Sequence, residues 1–162
     1  MKVNIISIGT IKEKYLKDAI AEYAKRLFAY IDLNIIEIEE TTFKNENESN
    51  IKKVLAEEGQ KILEKINFIK REKCYIIILD IKGRELSTID FYNLIKEKKL
   101  SGISNFVFVI GGSYGLSDDV KKIADLKLSF SKMTFPHQLF RLILIEQIYR
   151  IMKIDRNEPY HK

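Results

Sequence analysis

A glycine-rich turn is the first part of the sequence whose residue types indicate chemistry. It runs from Gly111 to Ser117, between an apolar run of strand length and a segment that Ser117 can cap as a helix. Glycine lets the backbone approach a ligand closely, and ligands of open α/β sheets bind at the carboxyl ends of strands. No Gly-Lys-Ser/Thr follows, and the spacing is not that of a dinucleotide-binding turn. The turn therefore predicts a ligand site of another kind, with a tight turn that binds nothing as the alternative.

The segment from Phe130 to His137, FSKMTFPH, is the second unusual connection. Its two phenylalanines and its methionine, together with backbone polar groups, suit a flat heteroaromatic ring such as adenine. The alternative is that Phe130 and Phe135 only anchor the loop to the core. His137 is a candidate general base, and equally a candidate cap for the helix that follows. Because both segments follow strands that we expect to be neighbours, we favour one shared binding site.

Other chemistries find little support in the sequence. The single cysteine, Cys74, excludes an internal disulfide and a multi-cysteine zinc site, and we expect it to pack in the interior. Two histidines are too few for a convincing transition-metal centre, so we expect no metal. There is no G-x-S-x-G motif of a serine hydrolase, and Asp80, at a strand end, is the carboxylate that stands out. No apolar run approaches about 20 residues, which predicts a soluble, cytoplasmic protein without a membrane span.

The C-terminal tail, NEPYHK, follows a helix that needs no further structure. Most such tails are disordered, but Tyr160 and His161 have side chains that stack on a base or hydrogen-bond it. Arg156 and Lys162 beside them can bind phosphates. The formal net charge of the chain is +5, and residues 132–162 hold six basic against three acidic side chains. This excess predicts a polyanionic partner near the C terminus, with a merely solvated helix face as the alternative.

Strand-like and helix-like patterns alternate along the whole chain. Apolar or β-branched runs predict strands, and apolar residues at helical spacing predict helices. The predicted strands are 2–8, 31–38, 75–80, 105–110 and 126–130, and the predicted helices are about 15–27, 51–66, 88–95, 118–120 and 137–153. We expect Lys82-Gly83 to end the third strand, and Ser87 with Asp90 to form a capping box. The alternation predicts an α/β fold, with a mostly parallel sheet flanked by helices in one domain, 1–162.

The last predicted helix is apolar nearly all round. Its apolar residues are Leu139, Phe140, Leu142, Ile143, Leu144, Ile145, Ile148, Tyr149, Ile151 and Met152. A helix of this kind cannot lie on the outside of a monomer. Either it is central to the core, or one face packs on the sheet and the other on a second subunit. In a chain of this size we favour the second arrangement, a homodimer with two-fold symmetry.

Motifs in the final third of the chain resemble those of a known family. They are 106–116 (FVFVIGGSYGL), 128–137 (LSFSKMTFPH), 146–150 (EQIYR) and the terminal YHK. These motifs resemble ribosomal large-subunit RNA methyltransferase H, the SPOUT-class enzyme that methylates N3 of a pseudouridine in 23S rRNA. The similarity covers the whole chain and begins at 2–10 (KVNIISIGT).

The resemblance implies a fold and a site that the residue patterns do not show. The fold would be an α/β trefoil knot, in which the C-terminal segment threads a loop. The methyl donor would be S-adenosylmethionine, bound in the knotted loops of a homodimer whose partner tail helps to complete each site. The donor pocket would involve Leu79, Gly111, Phe130, Ser131, Lys132, Met133, Thr134 and Phe135. The candidates for orienting the base, stabilising charge or accepting a proton are His137, Arg141, Tyr160 and His161.

Three alternative functions are compatible with the sequence. The first, which we favour, is S-adenosylmethionine-dependent methylation of N3 of a pseudouridine in 23S rRNA, on the assembled ribosome. The second is binding of ribosomal RNA without chemistry. The third is a small-molecule enzyme that uses the same pocket for an adenine-containing ligand. Since the donor is itself cationic at sulfur, the excess positive charge of the chain suits RNA phosphates and not the donor.

Overall fold

The computed structural model describes residues 1–70 and 73–160. The strands in this part of the chain are β1 (Lys2–Ile8), β2 (Asp32–Ile38), β3 (Cys74–Glu85), β4 (Asn105–Ile110) and β5 (Leu126–Ser129). The helices are α1 (Lys14–Leu27), α2 (Glu48–Ile69), α3 (Thr88–Leu100), α4 (Asp118–Lys122) and α5 (His137–Asp155). All strand pairs are parallel, and the sheet order is β2-β1-β4-β3-β5. The predicted α/β fold with a parallel sheet flanked by helices is confirmed.

Helices cover both faces of the sheet. Side chains of β4 alternate between two apolar clusters, since Phe106 and Phe108 belong to one and Val107 and Val109 to the other. Helices α1, α3 and α5 contribute to the first cluster, and α2 and α4 contribute to the second. A strand that is covered on both faces is apolar throughout, and β4 is buried at every position. The sheet is therefore the middle of three layers.

Strand β3 is longer than the sequence predicts. The expectation that Lys82-Gly83 ends this strand is wrong, because β3 continues past it to Glu85. The pairing with β5 is irregular, since Leu128 opposes both Leu79 and Arg84, and the residues between them bulge out of the ladder. A Cβ on the glycine would lie 2.6 Å from a backbone carbonyl oxygen of β5. The glycine thus permits a close approach of two strands and does not break the strand.

The predicted capping box at the start of α3 is confirmed. The hydroxyl of Ser87 accepts a hydrogen bond from the backbone N–H of Asp90 at 3.1 Å. In return, the backbone N–H of Ser87 donates to the carboxylate of Asp90 at 3.3 Å. The two bonds satisfy backbone donors that the first turn of a helix otherwise leaves without partners.

Helix α5 lies between α1 and α3 on one face of the sheet. Its buried residues are Arg141, Leu144, Ile145, Ile148, Tyr149, Ile151 and Met152. The central arrangement, the first of the two considered for this helix, therefore accounts for most of its apolar surface within one chain. In this part of the chain, the large apolar side chains that stay exposed are Leu139, at the start of the helix, and Met133 and Phe135, on the loop before it. The homodimer stays a prediction.

No helix in the described ranges is long and apolar enough to cross a membrane. Within the same residues, no three His, Cys, Asp or Glu side chains come together as a possible metal site. Cys74 is partly buried at the start of β3, and this burial raises the pKa of its thiol. A raised pKa favours the protonated thiol, which is the less reactive form.

Candidate functional site

A cavity of about 340 Å³ lies at the carboxyl ends of β3, β4 and β5, beside the first turn of α5. Open α/β sheets bind ligands at this edge, and the volume is in the usual range for small-molecule sites. Seven of the eight residues predicted for the donor pocket line the cavity: Leu79, Gly111, Phe130, Ser131, Met133, Thr134 and Phe135. The eighth, Lys132, is exposed on the same loop and does not line the cavity. The structure thus brings two separate sequence segments to one place.

These two segments do not follow neighbouring strands. The expectation that they do is wrong, because β3 lies between β4 and β5 in the sheet. The bulge of β3 contributes Asp80 and Ile81 to the cavity wall. A carboxylate oxygen of Asp80 accepts a hydrogen bond from the backbone N–H of Lys82 at 2.9 Å, which stabilises the bulge. The sequence singled out Asp80 but gave no reason for the strand irregularity that places it here.

Aromatic rings form one wall of the cavity. The ring of Phe140 on α5 lies 5.1 Å from that of Phe130 and 5.9 Å from that of Phe135, centroid to centroid. The hydroxyl of Ser131 accepts a hydrogen bond from the backbone N–H of Met133 at 2.9 Å and so shapes the loop. Phe140 was not predicted as a site residue, although its position three residues after His137 puts both on one side of the helix. The wall offers aromatic faces and edges to a flat ring.

Two positions in the turn after β4, 111 and 112, have no room for a side chain. A Cβ on Gly111 would lie 2.6 Å from the carbonyl oxygen of Gly115, and a Cβ on Gly112 would lie 2.8 Å from Cγ2 of Ile8. The backbone N–H of Gly115 donates to the carbonyl of Gly112 at 3.0 Å. The turn is therefore tight, and its backbone lines the cavity.

Carboxylates hold the glycine turn from the side of β2. The hydroxyl of Ser113 donates to Glu40 at 2.8 Å, and the phenol of Tyr114 donates to Glu46 at 2.9 Å. Glu58 on α2 is buried, and it accepts a hydrogen bond at 3.0 Å from a backbone N–H next to Glu40. Burial raises the pKa of Glu58, which that hydrogen bond opposes. These contacts fix the turn relative to the segment that follows β2.

His137 is the first residue of α5 and lines the cavity. Its Nε2 lies 3.4 Å from the position that a Cβ on Gly9 would take. The N-cap position of the helix is Pro136, without a side-chain capping bond, so His137 does not cap the helix. Among the four predicted catalytic residues, His137 is the one that the described structure places at the cavity.

Arg141, one turn further along α5, is only 1% exposed and does not line the cavity. Its guanidinium forms an ion pair with Glu37 of β2 and donates to the carbonyl of Gly9 at 2.9 Å. Glu37 also accepts from the backbone N–H of Ile11 at 3.3 Å. Burial lowers the pKa of Arg141, and the ion pair opposes this shift. Arg141 thus ties the connection after β1 to the helix that begins with His137.

Replacing Arg141 by alanine is expected to lower the free energy of unfolding by about 2 kcal/mol. Removal of one partner of a buried ion pair is costly, and the cost here is moderated because Glu37 is partly exposed. Arg141→Lys is expected to recover only part of the loss, since an ammonium lacks the planar fork that reaches two acceptors. Urea denaturation measures both. The matched control is Arg26→Ala, which breaks an exposed ion pair on α1 and should leave the midpoint unchanged; equal midpoints for the two alanine variants would contradict the prediction.

The C-terminal tail packs against its own chain as far as Tyr160. The phenol of Tyr160 donates to Glu146 at 3.2 Å and lies 3.4 Å from the phenol oxygen of Tyr23. Arg150 pairs with Glu146 at 2.6 Å, and its guanidinium lies 4.8 Å from the centroid of the Tyr160 ring. The contact with Tyr23, burial and the nearby carboxylate raise the pKa of Tyr160. Tyr160 does not line the cavity of its own chain, and His161 lies outside the described residues.

Glu146 and Arg150 are functional candidates for which no role was predicted from the sequence. They belong to the EQIYR motif, four residues apart, which places both on one face of α5. Both are only partly exposed. Their contact with the tail makes this face of the helix a second polar site, separate from the cavity of the same chain.

Comparisons with known proteins agree on the family. A family model described as "Predicted SPOUT methyltransferase" matches residues 1–161. A ribosomal RNA large subunit methyltransferase H of Carboxydothermus hydrogenoformans is 50% identical over 163 residues, which cover 100% of both chains. Proteins of the same name from Clostridium tetani and Clostridium acetobutylicum are 50% and 48% identical, again over 100% of both chains.

A solved structure shares the fold. It is that of a probable methylase family protein from Haemophilus influenzae Rd KW20, which aligns with a TM-score of 0.57 and 11% identity over 99% of this chain and 70% of the other. Identity this low supports the fold alone, whereas the full-length matches at about half identity show the family. The chain belongs to the SPOUT methyltransferases and, among them, to the family of ribosomal RNA large subunit methyltransferase H.

Proposed function

We propose that this chain is an S-adenosylmethionine-dependent methyltransferase that methylates N3 of a pseudouridine in 23S rRNA, on the assembled ribosome in the cytoplasm. One observation carries the proposal: seven of the eight residues predicted for the donor pocket converge on one cavity in a chain that is half identical, over its full length, to ribosomal RNA large subunit methyltransferase H. The methylated atom and the ribosomal context rest on the resemblance of the sequence motifs to that family.

The chemistry of the cavity fits the donor. Phe130, Phe135 and Phe140 provide an aromatic wall for the adenine ring, and Met133 adds a polarisable thioether. Backbone groups of the turn at Gly111 offer hydrogen bonds at close range, because no side chain stands in the way. Leu79, Ser131 and Thr134 would complete the pocket, with Lys132 as a further contact from the same loop.

The protein residues mainly have to align the reaction and manage one proton. When bound, the donor supplies a sulfonium methyl group that is already activated, so an in-line approach and exclusion of water are the main requirements. The attacking nitrogen must lose its proton and carries developing charge. His137, at the cavity, would accept the proton or orient the base. Arg141 would act through Gly9 and His137 as a positioning residue, whereas Tyr160 and His161 would act from the tail.

We infer that the tail of one chain serves the cavity of a partner. Within one chain, Tyr160 lies against Glu146 and Arg150 and not at the cavity. A homodimer that packs on the start of α5 would also cover the exposed Met133 and Leu139. In this arrangement, residues 1–162 form one domain with the C-terminal trefoil knot that the family implies. Each cavity would then be a composite site, completed by the tail of the other copy.

The proposal is tested by mass spectrometry of 23S rRNA from a strain that lacks this chain. The expected result is loss of one methyl group from a pseudouridine, restored by a plasmid copy of the gene. A matched plasmid that encodes Lys52→Ala, which breaks an exposed ion pair on the surface of α2, should restore it equally well. An unchanged methylation pattern in the deletion strain would overturn the proposal.

Two other functions give different results with the purified protein. If the chain only binds ribosomal RNA, calorimetry should detect no S-adenosylmethionine binding at high micromolar concentration. If it acts on a small molecule, its affinity for ribosomes should be low and nearly independent of salt. A methyltransferase that contacts several phosphates should instead lose affinity steeply as salt increases.

A further inference from the structure

Phe28 is the most exposed large apolar side chain in the described part of the protein, at 87%. It is the C-cap residue of α1 and lies at the amino-terminal edge of the sheet, where the chain turns into β2. A single exposed apolar residue needs no explanation by itself. Its surroundings make this one informative, because basic side chains from two helices lie at the same edge.

Lys25 and Arg26 are exposed in the last turn of α1, and Arg156 is exposed just after α5. The guanidinium of Arg156 donates to the carbonyl of Ala29 at 2.7 Å, which holds it one residue from Phe28 along the chain. It also lies 4.3 Å from the centroid of a tyrosine ring in the same turn. We refer to Lys25, Arg26, Phe28 and Arg156 as the α1-end patch.

The charge of the α1-end patch is partly uncompensated. Arg26 pairs with Glu22 at 2.9 Å. Lys25 and Arg156, by contrast, belong to none of the ion pairs formed among residues 1–70 and 73–160. Arg156 still interacts with its surroundings, since it helps to lower the pKa of Glu158. An exposed aromatic ring near cations that form no ion pair matches the composition of surfaces that bind single-stranded nucleic acid, in which rings stack on bases and cations bind phosphates.

We propose that the α1-end patch is an RNA-docking surface, in which Phe28 stacks on an unpaired base while Lys25 and Arg156 bind the flanking phosphates. This inference rests on the proposed function, because it takes ribosomal RNA as the substrate. The patch is continuous with the tail, since Arg156 directly precedes the segment that leads to Tyr160. RNA held at the patch would therefore lie beside the start of the tail, which the proposed function brings to the target base.

A second copy of the chain suits this surface less well than RNA. A two-fold contact brings the same patch of each subunit together, and here it would place like charges opposite each other while they lose water. RNA supplies the opposite charge and a flat aromatic partner at the same time.

The test compares single variants in their binding to purified ribosomes that lack the modification and to a 12-nucleotide oligouridine. Phe28→Ala should weaken both affinities by at least about five-fold, which is the lower end for loss of one stacked base. Phe28→Tyr keeps the ring and should bind as the unmodified chain does. Arg156→Gln should reduce the slope of log affinity against log salt by about one. The matched control is Phe68→Ala, also at an exposed phenylalanine (71%) but on α2, across the sheet.

Each outcome decides the inference. Affinities of Phe28→Ala equal to those of Phe68→Ala would overturn it. Dissociation of a dimer by Phe28→Ala in sedimentation would also overturn it, because the patch would then join two copies. Failure of the proposed function is recognised separately, since the unmodified chain would then transfer no methyl group to ribosomes. Binding of S-adenosylmethionine should be the same in all variants, which shows that they fold.

Discussion

Gly111→Val is expected to weaken binding of S-adenosylmethionine by about ten-fold. A Cβ at this position would lie 2.6 Å from the carbonyl oxygen of Gly115, so the backbone of the turn has to move. Overpacking of this kind costs roughly 1–3 kcal/mol, and about 1.4 kcal/mol corresponds to a factor of ten. The turn also forms part of the cavity wall, so its displacement changes the shape of the site directly. Calorimetry with S-adenosylmethionine measures the effect.

A glycine elsewhere provides the control for this experiment. Gly102 has a φ of +85° with open space around it, at the turn before β4. Gly102→Asn introduces a residue that tolerates this backbone conformation, and it should leave donor binding unchanged. Normal donor affinity in Gly111→Val would show that the donor binds elsewhere, and the cavity would lose its assignment.

Deletion of residues 159–162 is expected to lower methyl transfer to ribosomes by at least about 100-fold while donor binding stays nearly intact. The reason is that the tail supplies Tyr160 and His161, and positioned groups that handle a proton contribute factors of 10² to 10⁴. The cavity itself does not include Tyr160, so donor binding should survive. Single-turnover transfer and calorimetry separate the two effects. Tyr160→Phe keeps the ring but removes the hydroxyl bonded to Glu146, and it serves as the milder comparison.

Mixing the two impaired chains, at a donor concentration too low to saturate the Gly111→Val cavity, shows whether the tail acts within a chain or across a dimer. A Gly111→Val chain has a defective cavity and an intact tail, whereas the truncated chain has the opposite. If the partner's tail completes each site, mixed dimers contain one intact composite site and should recover activity. Absence of recovery, with mixed dimers present by mass spectrometry, would place each tail at its own cavity. Unchanged turnover in the truncated chain would remove the tail from the mechanism.

The fold was largely predictable because its elements are encoded locally. The continuous apolar run of β4 and the helical spacing in α1 depend only on neighbouring residues, and both elements appear where the sequence predicts them. The same holds for the capping box at Ser87, whose partners are three residues apart. The error at Gly83 arose because a glycine that permits close contact with β5 has the same local pattern as one that ends a strand.

The composition of the candidate site was predicted better than its geometry. Unusual residue types in two loops indicated a ligand. The family resemblance named eight pocket residues, of which seven line one cavity. No role was predicted for Phe140, whereas Arg141 was placed among the catalytic candidates. Helical spacing indicates which side of α5 each residue occupies. How deeply each side chain is buried depends instead on the segments that pack on the helix. Here the end of β2 supplies Glu37, which pairs with a buried Arg141 that does not line the cavity. The role of Arg141 in the reaction stays a prediction.

The sequence by itself determined the family, the alternation of strands and helices, and the residue types that could hold a methyl donor. Tertiary structure alone decided that β3 lies between the two loops and bulges into the cavity, and that Tyr160 lies away from the cavity of its own chain. It also decided that Phe28 and Arg156, 128 positions apart, share one edge. The physical reason is the range of the interactions involved. Backbone propensity and apolar periodicity act over a few residues, whereas sheet order and burial arise from contacts between segments that the chain brings together only when it folds.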